Sequence, residues 1–373
     1  MKLGLFLMPS HPPERGLLAG QQWDLAVLRE ADRLGYSEAW IGEHFTSRWE
    51  PNPAPDLLIA QALMQTQQIK LAPGAHLLPY HHPAELACRV AFMDHLSQGR
   101  YMLGIGAGGL PSDWQLFCVD GMKGVNRDMT REALDIMLKI WASDGSGNVE
   151  YKGKFWSVNV PGPMFRTLGH HLRPLQKPNP PIGIAGLNPG SETLKLAGEH
   201  GFMPLSLNMS PGYVATHWDA VLEGSQRAGL VPNRQDWRVV REVFVADTDE
   251  EAHRNCVGGM MGRMMREYLL PLMADFQFTK YLKHDPSVPD DAVTPEYLAD
   301  HGWLVGSPRT VRDKLTEMSK ALGGFGTLLL FTFDYADNPE PWFKSMRLLA
   351  EEVLPHFNGL EAGRLDHAAA ANP

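Results

Sequence analysis

The stretch EAWIGEHFTSRW, residues 38–49, runs from a short apolar segment directly into a titratable pair. Residues 38–41 have the composition of a strand that is buried on both faces, because polar and apolar residues do not alternate along them. Gly42 follows, and Glu43 and His44 come immediately after it. Side chains that act on ligands are concentrated on loops held by a rigid scaffold, so this pair is a candidate for a functional site.

Seven further apolar segments resemble residues 38–41, and segments with helical periodicity lie between them. The eight predicted strands are residues 3–8, 38–41, 69–78, 101–105, 182–185, 203–207, 239–246 and 327–331. The predicted helices are residues 22–34, 55–66, 84–96, 130–141, 191–200, 213–228, 249–270, 308–322 and 341–354. Eight buried strands alternating with helices are the pattern of a (β/α)8 TIM barrel, an α/β fold. We therefore predict one barrel domain over residues 1–360, followed by a C-terminal tail at 361–373.

Two intervals are too long for simple turns, and they follow the fourth and the seventh strand. Residues 144–181 are rich in glycine and proline, and residues 271–302 are polar and interrupted by prolines. Long segments of this kind in a compact domain are either disordered or functional lids. Phe155, Trp156 and Phe165 give the first interval apolar surface to bury, which favours lids.

The composition excludes several classes of protein. The 373 residues carry a net charge of −9, and the 34 basic residues are scattered, so no surface for nucleic acid is expected. The N-terminal apolar run is broken early by Pro9, and no segment is long enough to span a membrane, so we expect a soluble cytoplasmic protein. Cys88, Cys118 and Cys256 lie far apart, which predicts buried small side chains rather than disulfides or a thiolate metal site.

Two common barrel chemistries lack the residues that they need. A metal hydrolase needs histidines with ligand spacing at a strand end, but His81 and His82 are adjacent and cannot easily face one ion, so no metal is predicted. A glycosidase needs two carboxylates across the barrel mouth, and Glu43 with Glu242 is the best available pair. We predict instead that Glu242 is a buried structural carboxylate paired with Arg241 or another base.

His44 is the strongest candidate for acid–base chemistry. Active sites of TIM barrels are built at the carboxyl ends of the strands, and His44 follows the second strand by about three residues, so it should face the mouth. Histidine has an unperturbed pKa of about 6.5 and can exchange a proton near neutral pH. Glu43 could fix the tautomer of His44, or it could point away to cap a neighbouring group. A structural histidine that hydrogen-bonds to backbone carbonyls is the competing interpretation.

Small residues gather at the predicted strand ends, where they would let a flat ring approach the backbone closely. They are Gly74 and Ala75 in the third strand, Gly104, Gly106, Gly108 and Gly109 at the fourth, and Gly186 and Gly190 after the fifth. Gly104, Gly106 and Gly109 also satisfy the dinucleotide pattern G-x-G-x-x-G. The residues PSDW that follow do not open a tightly packed helix, so we interpret the glycines as making room at a barrel mouth.

The run GLNPGSETLKLAGEHG, residues 186–201, contains a tight turn between the fifth strand and a helix. Ser191 and Thr193 open that helix, whose first backbone N–H groups have no partner within it and can bind an anion such as phosphate. Ser191 could equally be an ordinary N-cap. Both interpretations stay open from the sequence.

Several motifs together carry a resemblance to a known family. They are MKLGLFLMP at the start, AWIGEHF after the second strand, LLPYHHP after the third, AFMDHLSQGRYMLGIGAGG around the fourth, TREALDIMLKIW with YKGKFW, PLQKPNPPIGIAG leading to the fifth strand, VFVADTDEEA, VGSPRTVRDKL and, near the end, LAEEVLPHF. In this order the chain resembles the luciferase-like flavin-dependent monooxygenases over nearly its whole length. Within that family WIGEHFTSRWEPNPAPDLLIAQAL is most similar to the limonene monooxygenase type and the related type II ketone monooxygenases.

The resemblance implies a cofactor, partners and a reaction. Reduced FMN, supplied by a separate flavin reductase, would react with O2 to form a flavin C4a-hydroperoxide. This hydroperoxide would oxygenate a lipophilic, terpenoid-like ketone, aldehyde or alkene. Relatives are commonly homodimers. Two alternatives stay open: an F420-dependent oxidoreductase that transfers hydride on the same barrel, and a relative that binds flavin but has lost catalysis.

The resemblance also assigns roles to individual residues. It implies that His44 manages one proton and that Phe6, Gly74 and Ala75 flank the isoalloxazine ring, with a cis peptide bond at 74–75. The phosphate loop would contain Gly190, Ser191 and Thr193. Three further positions are candidates for cofactor binding because of where they lie, and they are His76, Gly106 and Gly186. Some relatives bind the phosphate with an arginine after the fourth strand, but residues 106–109 contain none.

Overall fold

Short apolar strands form a parallel sheet in the computed structural model, which describes residues 1–357. The strands are β1 (Lys2–Leu7), β2 (Glu38–Ile41), β3 (Lys70–Pro73), β4 (His76–Leu77), β5 (Leu103–Gly106), β6 (Val149–Lys152), β7 (Ser157–Val160), β8 (Ile182–Gly186), β9 (Met203–Ser206), β10 (Arg238–Arg241), β11 (Val243–Val245), β12 (Leu304–Gly306) and β13 (Thr327–Phe331). Nine of them lie in one sheet, in the order β3-β2-β1-β13-β10-β9-β8-β5-β4. β3 and β4 are two parts of the predicted third strand, and Leu71 also bridges to Tyr101 just before β5, which brings the sheet edges together. The predicted TIM barrel is confirmed.

The predicted helices are present between the strands, with shifts at their ends. They are α1 (Leu17–Arg33), α2 (Pro55–Leu63), α3 (Pro83–Leu96), α4 (Pro111–Leu116), α5 (Val125–Ala142), α6 (Glu192–His200), α7 (Pro211–Ala228), α8 (Asp249–Val257), α9 (Met260–Met264), α10 (Leu270–Asp275), α11 (Pro295–His301), α12 (Pro308–Leu322) and α13 (Glu340–Leu348). The predicted tail at 361–373 lies outside the described residues, and the single-domain boundary at 360 stays a prediction.

Besides the third strand, two further predicted elements are interrupted. The predicted seventh strand divides at Glu242: β10 remains in the barrel, and β11 pairs instead with β12, which was not predicted because three residues give too short a pattern. The predicted helix 249–270 ends at Gly258 and resumes at Met260. A Cβ on Gly259 would lie 2.2 Å from the carbonyl oxygen of Asn255, so the break requires glycine.

The interior of the barrel is filled by Trp40, which extends from β2 towards β5 and β8. A Cβ on Gly104 would lie 3.1 Å from the Trp40 ring, and a Cβ on Gly183 would lie 2.5 Å from it. These glycines make room for the indole inside the barrel, whereas room for a ligand at the mouth stays a prediction. Glu38 and Arg238 form an ion pair across the same interior, with an Nε–Oε1 distance of 3.0 Å and an Nη2–Oε2 distance of 3.1 Å. The barrel below the mouth is therefore closed.

The two long intervals contain ordered structure. In the first interval β6 and β7 form an antiparallel hairpin, and the Glu132 carboxylate of α5 accepts the backbone N–H groups of Phe155 and Trp156. Both aromatic rings are half-buried, but Phe165 is 80% exposed, so the expectation that it buries apolar surface is wrong. The second interval contains the end of α10, the helix α11 and two 3-10 turns.

The cysteine prediction holds for one residue of three. Cys256 is buried, whereas Cys88 on α3 and Cys118 after α4 are exposed, which corrects the expectation of three buried thiols. Cys88 lies on the outward face of its helix, where burial was not required. All three cysteines are free. Within residues 1–357, none of the helices has the length and apolar character needed to cross a membrane.

A buried charged cluster joins the loop after β1 to the loop after β13. The ring of His11 lies between two carboxylates, with Nδ1 2.9 Å from Asp334 Oδ2 and Nε2 3.1 Å from Asp24 Oδ2. Burial by itself lowers the pKa of His11, but the hydrogen bonds and charges of Asp24 and Asp334 outweigh it and raise the pKa to about 9. His11 is therefore an imidazolium that holds the two loops together at neutral pH.

This cluster predicts a loss of stability at alkaline pH. The pKa of His11 is higher in the folded state, about 9, than the 6.5 of an unperturbed histidine, so its contribution is complete below pH 6.5, mostly present at pH 7 and lost as the pH rises through 9. We expect wild type to lose up to about 3 kcal/mol more than His11→Asn between pH 7 and 10. Urea unfolding at both pH values measures this, and identical losses in the two proteins would contradict it.

Candidate active site

The predicted site residues converge on one end of the barrel. His44 follows the carboxyl end of β2, Gly106 and Gly186 are the last residues of β5 and β8, and Ser191 lies at the start of α6. The strands are parallel, so these positions belong to the same rim. His44 and Ser191 therefore lie at the same end of the fold.

Aromatic and small residues line the floor of this mouth. Phe6 near the end of β1 faces Phe331 of β13 with a ring-centroid distance of 6.0 Å, and both side chains are buried. A Cβ on Gly106 would lie 3.3 Å from the Cβ of Ala75. The Gly74–Ala75 peptide bond is cis, as the resemblance implied. The residues named here are apolar, and Gly106 and Ala75 add little side-chain bulk, which suits a flat ring.

Glu43 points away from His44. Its Oε2 lies 2.6 Å from His76 Nδ1 and its Oε1 lies 2.8 Å from His81 Nε2. Burial opposes ionisation of Glu43, but these two histidines lower its pKa to about 2. Of the two roles considered for Glu43, capping neighbouring groups is therefore the observed one.

The ring of His76 is enclosed by carboxylates. Its Nε2 lies 3.0 Å from Asp56 Oδ2, its Nδ1 is held by Glu43, and the residue is 1% exposed. Burial lowers the pKa of His76, but the two carboxylates raise it overall to about 9. Both ring nitrogens are occupied, so cofactor binding through the His76 side chain stays an untested prediction with little geometric support.

Glu43, His76 and His81 could also be considered as metal ligands, because one donor atom of each lies within 4.8 Å of the others. Ligand atoms around a tetrahedral zinc ion with bonds of about 2.0–2.1 Å are separated by roughly 3.3 Å. The distances from Glu43 to the two histidines, 2.6 and 2.8 Å, are those of direct hydrogen bonds. The donor set therefore fits an ion-pair network better than a metal centre.

His44 is set between two carboxylates without bonding to either. Its Nε2 lies 3.6 Å from Glu50 Oε2, its Nδ1 lies 3.9 Å from Asp113 Oδ2, and its side chain is 17% exposed. Within residues 1–357 the buried Nδ1 has no hydrogen-bond partner, so no backbone carbonyl satisfies this nitrogen. The loop that carries it is anchored by Asn52, whose side chain donates to the Gly42 carbonyl.

The end of the predicted helix 249–270, just before the second long interval, reaches this site through Tyr268. The Tyr268 hydroxyl donates to Glu50 Oε2 at 2.8 Å and accepts from Ser47 Oγ at 3.0 Å. Its ring stacks on Trp49, with centroids 6.1 Å apart and an angle of 11°. Burial raises the pKa of Tyr268, so it remains a hydrogen-bond donor. The helical turn that carries Tyr268 thus packs against the loop that carries His44.

Three residues of this arrangement were missed by the sequence analysis: Glu50, Asp113 and Tyr268. Glu50 directly follows the opening motif, so its position was a usable signal. Asp113 belongs to the PSDW stretch, which served only to reject a dinucleotide fold. Tyr268 lies more than two hundred residues from His44 in sequence, and no local pattern marks it.

The start of α6 confirms the capping role of Ser191. Its Oγ accepts the N–H of Leu194 at 3.3 Å, and the Thr193 hydroxyl donates to the Ala185 carbonyl at 2.7 Å. Gly190 has φ +58°, and a Cβ there would meet nothing within 4 Å. Because the hydroxyl of Thr193 is occupied, an anion at this helix would be bound mainly by the free backbone N–H groups.

Glu242 is buried at the break between β10 and β11. Its Oε1 accepts from the Asn208 side-chain amide, and burial raises its pKa. Within the described chain it forms no ion pair with Arg241, which corrects the predicted pairing. Consecutive residues of a strand point to opposite faces, so the two side chains diverge.

Comparison with known proteins gives a consistent result. The family described as luciferase-like monooxygenase matches residues 1–324. The 2,5-diketocamphane 1,2-monooxygenase 1 of Pseudomonas putida is 35% identical over 364 residues, which cover 95% of this chain and 99% of that protein. The limonene 1,2-monooxygenase of Rhodococcus erythropolis is 29% identical, covering 95% of this chain and 86% of that protein.

One solved structure is similar to the chain in both fold and sequence. It is the oxygenating constituent of 3,6-diketocamphane monooxygenase from Pseudomonas putida, a type II Baeyer-Villiger monooxygenase, in complex with FMN. It is 36% identical, with a TM-score of 0.89, and the match covers 95% of this chain and 98% of that one.

Proposed function

The chain belongs to the luciferase-like monooxygenase family, and on this basis we propose that it is the FMN- and O2-dependent oxygenase of a two-component system. Its substrate is a lipophilic, terpenoid-like ketone, aldehyde or alkene, oxygenated through a flavin C4a-hydroperoxide. The observation that carries the proposal is the arrangement at one barrel end: an apolar floor, an unpartnered histidine and a helix N-terminus. Near full-length similarity to the diketocamphane monooxygenases supports it.

The residues at the mouth fit the parts of FMN. Phe6, Ala75 and Gly106 offer a flat apolar surface for the isoalloxazine ring, and the backbone of residues 190–193 offers N–H groups for the phosphate. Reduced FMN supplies the electrons that activate O2. The protein keeps water from the ring with its closed floor and its Tyr268 contact, and His44 holds or releases one proton at a ring nitrogen.

A negative charge introduced at residue 191 distinguishes phosphate binding at the start of α6 from capping of that helix. Aspartate caps helices as well as serine does, so Ser191→Asp should preserve α6 while repelling a phosphate beside it. We expect FMN affinity to fall at least ~10-fold, because each 1.4 kcal/mol of repulsion corresponds to that factor. Riboflavin, which lacks the phosphate, should bind wild type and variant equally. Calorimetry with both ligands measures this, and an equal loss for both would contradict the phosphate assignment.

The oxygenase depends on a source of reduced flavin. The related solved structure is described as an oxygenating constituent, and we propose that this chain likewise receives reduced FMN from a separate flavin reductase. The turn at residues 106–109 contains no basic residue that could bind the phosphate. A low affinity for FMN would suit a cofactor that diffuses between two proteins.

We propose that the chain forms a homodimer through α2 and α3. Large apolar side chains are exposed along both helices: Leu57 at 66%, Met64 just after α2 at 85%, Phe92 at 53% and Leu96 at 55%. Exposed apolar surface repeated along a helix is typical of an interface.

Charges on these helices should therefore dissociate the dimer. The double variant Met64→Glu/Phe92→Glu is expected to behave in light scattering as one chain of 41.5 kDa, and wild type as twice that mass. Leu18→Glu, on the equally exposed start of α1, is the matched control and should stay dimeric. A wild-type protein that is monomeric would remove the proposal.

The proposed reaction is tested by following oxygen. The protein is mixed with reduced FMN and oxygenated buffer in a stopped-flow instrument, with a panel of cyclic terpenoid ketones and with ¹⁸O2. One labelled oxygen atom in the product and no turnover without O2 are expected. Anaerobic turnover with the deazaflavin F420 would replace the oxygenase by a hydride-transferring enzyme.

A further inference from the structure

Two buried polar atoms face each other beside the proposed flavin site. They are Nδ1 of His44 and Oδ2 of Asp113, 3.9 Å apart, and neither has a hydrogen-bond partner within residues 1–357. Leaving a buried donor or acceptor unpaired is unfavourable, because the group has lost its water without gaining a partner. A movement of about 1 Å would bring the pair to hydrogen-bonding distance and satisfy both atoms.

The orientation of the Asp113 carboxylate is fixed by a hydrogen bond to its other oxygen, Oδ1. Oδ1 accepts from the Thr46 hydroxyl at 2.5 Å, and Thr46 lies two residues after His44 on the same loop. Asp113 itself is 0% exposed. A fully buried carboxylate needs more than one donor, and the imidazole N–H is placed to be the second.

The opposite side of the ring is different. Nε2 lies 3.6 Å from Glu50 Oε2, but that oxygen already accepts from the Tyr268 hydroxyl. Nδ1 is the ring nitrogen that is buried without a hydrogen-bond partner within residues 1–357. Glu50 therefore lies close enough to stabilise a positive ring without occupying Nε2.

One other group competes for Asp113. The Tyr80 hydroxyl is buried without a partner, and burial together with the charge of Asp113 raises the pKa of Tyr80. The groups that face this loop are therefore Asp113, Glu50, Tyr268 and Tyr80. Glu43 is excluded because its two oxygens are held by His76 and His81.

We propose that Asp113 is a positioning residue that keeps a proton on Nδ1 of His44 and so leaves Nε2 to exchange a proton with the reacting centre. The proposal deepens the role given to His44 under the proposed function and rests on it. A carboxylate that orients an imidazole in this way fixes both its tautomer and its ring plane. Nε2 then accepts a proton as the ring becomes positive, with Asp113 and Glu50 on either side.

The tautomer of His44 can be read in FMN-free protein. Full-length protein with ¹⁵N-labelled histidine is studied by long-range ¹⁵N–¹H NMR, and the His44 signals are identified as those lost in His44→Gln. Wild type is expected to carry the ring proton on Nδ1. In Asp113→Asn the side-chain amide N–H would face Nδ1, so the proton should move to Nε2. Tyr80→Phe is the matched control and should match wild type.

A second variant and a second measurement make the outcome decisive. Asp113→Ala removes the acceptor with minimal bulk and should also lose the Nδ1–H form. In steady-state oxygenation, Asp113→Asn should lower kcat at least ~10-fold with little change in KM, since general acid–base catalysis contributes about 10²–10⁴-fold. The role proposed for Asp113 is supported if the tautomer of His44 and the kcat of the enzyme both change in the Asp113 variants.

The proposal is overturned if wild-type His44 already carries its proton on Nε2, or if Asp113→Asn and Asp113→Ala both retain Nδ1–H. It is also overturned if Tyr80→Phe moves the proton as Asp113→Asn does. The NMR result does not depend on flavin or substrate. A wild-type protein that fails to oxygenate would therefore defeat the proposed function while the tautomer still decides the role of Asp113.

Discussion

Replacing His44 by alanine is expected to lower the rate of oxygenation at least ~10²-fold, a typical contribution of general acid–base catalysis. The imidazole lies at the mouth with its buried Nδ1 unpartnered within the described chain, and alanine cannot exchange its proton. Binding of reduced FMN should be nearly normal, because the apolar floor and the start of α6 do not involve the imidazole.

The measurement combines calorimetry with reduced FMN and single-turnover product formation. His82→Ala is the matched control, since His82 is exposed, lies at the start of α3 and should leave both quantities unchanged. Wild-type turnover in His44→Ala would remove His44 from the mechanism. A parallel loss of flavin affinity would instead assign it to binding.

Replacing Arg238 by methionine is expected to cost about 3–5 kcal/mol of stability, because it leaves Glu38 charged and buried inside the barrel. The present ion pair is bidentate, and the Trp40 indole N–H also donates to Glu38 Oε1 at 2.8 Å. Glu38 and Arg238 are 3% and 8% exposed, so water cannot take the place of the missing guanidinium.

Urea unfolding at pH 7 measures this effect as a shift of the midpoint. The double variant Glu38→Leu/Arg238→Met removes both charges and should recover most of the lost stability, since replacing a whole buried pair by apolar residues is often neutral. The proposed cost of burying Glu38 alone would be contradicted if Arg238→Met lowers the free energy of unfolding by less than about 1 kcal/mol. It would also be contradicted if the double variant is no more stable than Arg238→Met.

Much of the fold could be predicted from the sequence because its signals are local. Buried parallel strands are continuous apolar runs, and helices between them have their own periodicity, so the order of elements and the barrel were visible along the chain. The break of the seventh strand was not visible. It depends on β11 pairing with the three-residue strand β12, a contact between distant segments.

The sequence by itself determined which end of the barrel carries the candidate site, because the residue after each strand is known once the strands are known. It identified His44, the capped start of α6 and the cis bond at Gly74–Ala75 through these positions and the family resemblance. Only the tertiary structure decided the partners of the titratable groups. Glu43 follows the same strand as His44 yet turns to His76 and His81, while His44 lies near Asp113 of α4 and near Glu50, which is bound by Tyr268. Burial and hydrogen bonding between residues far apart in the chain set these contacts, and no spacing along the sequence encodes the direction of a side chain.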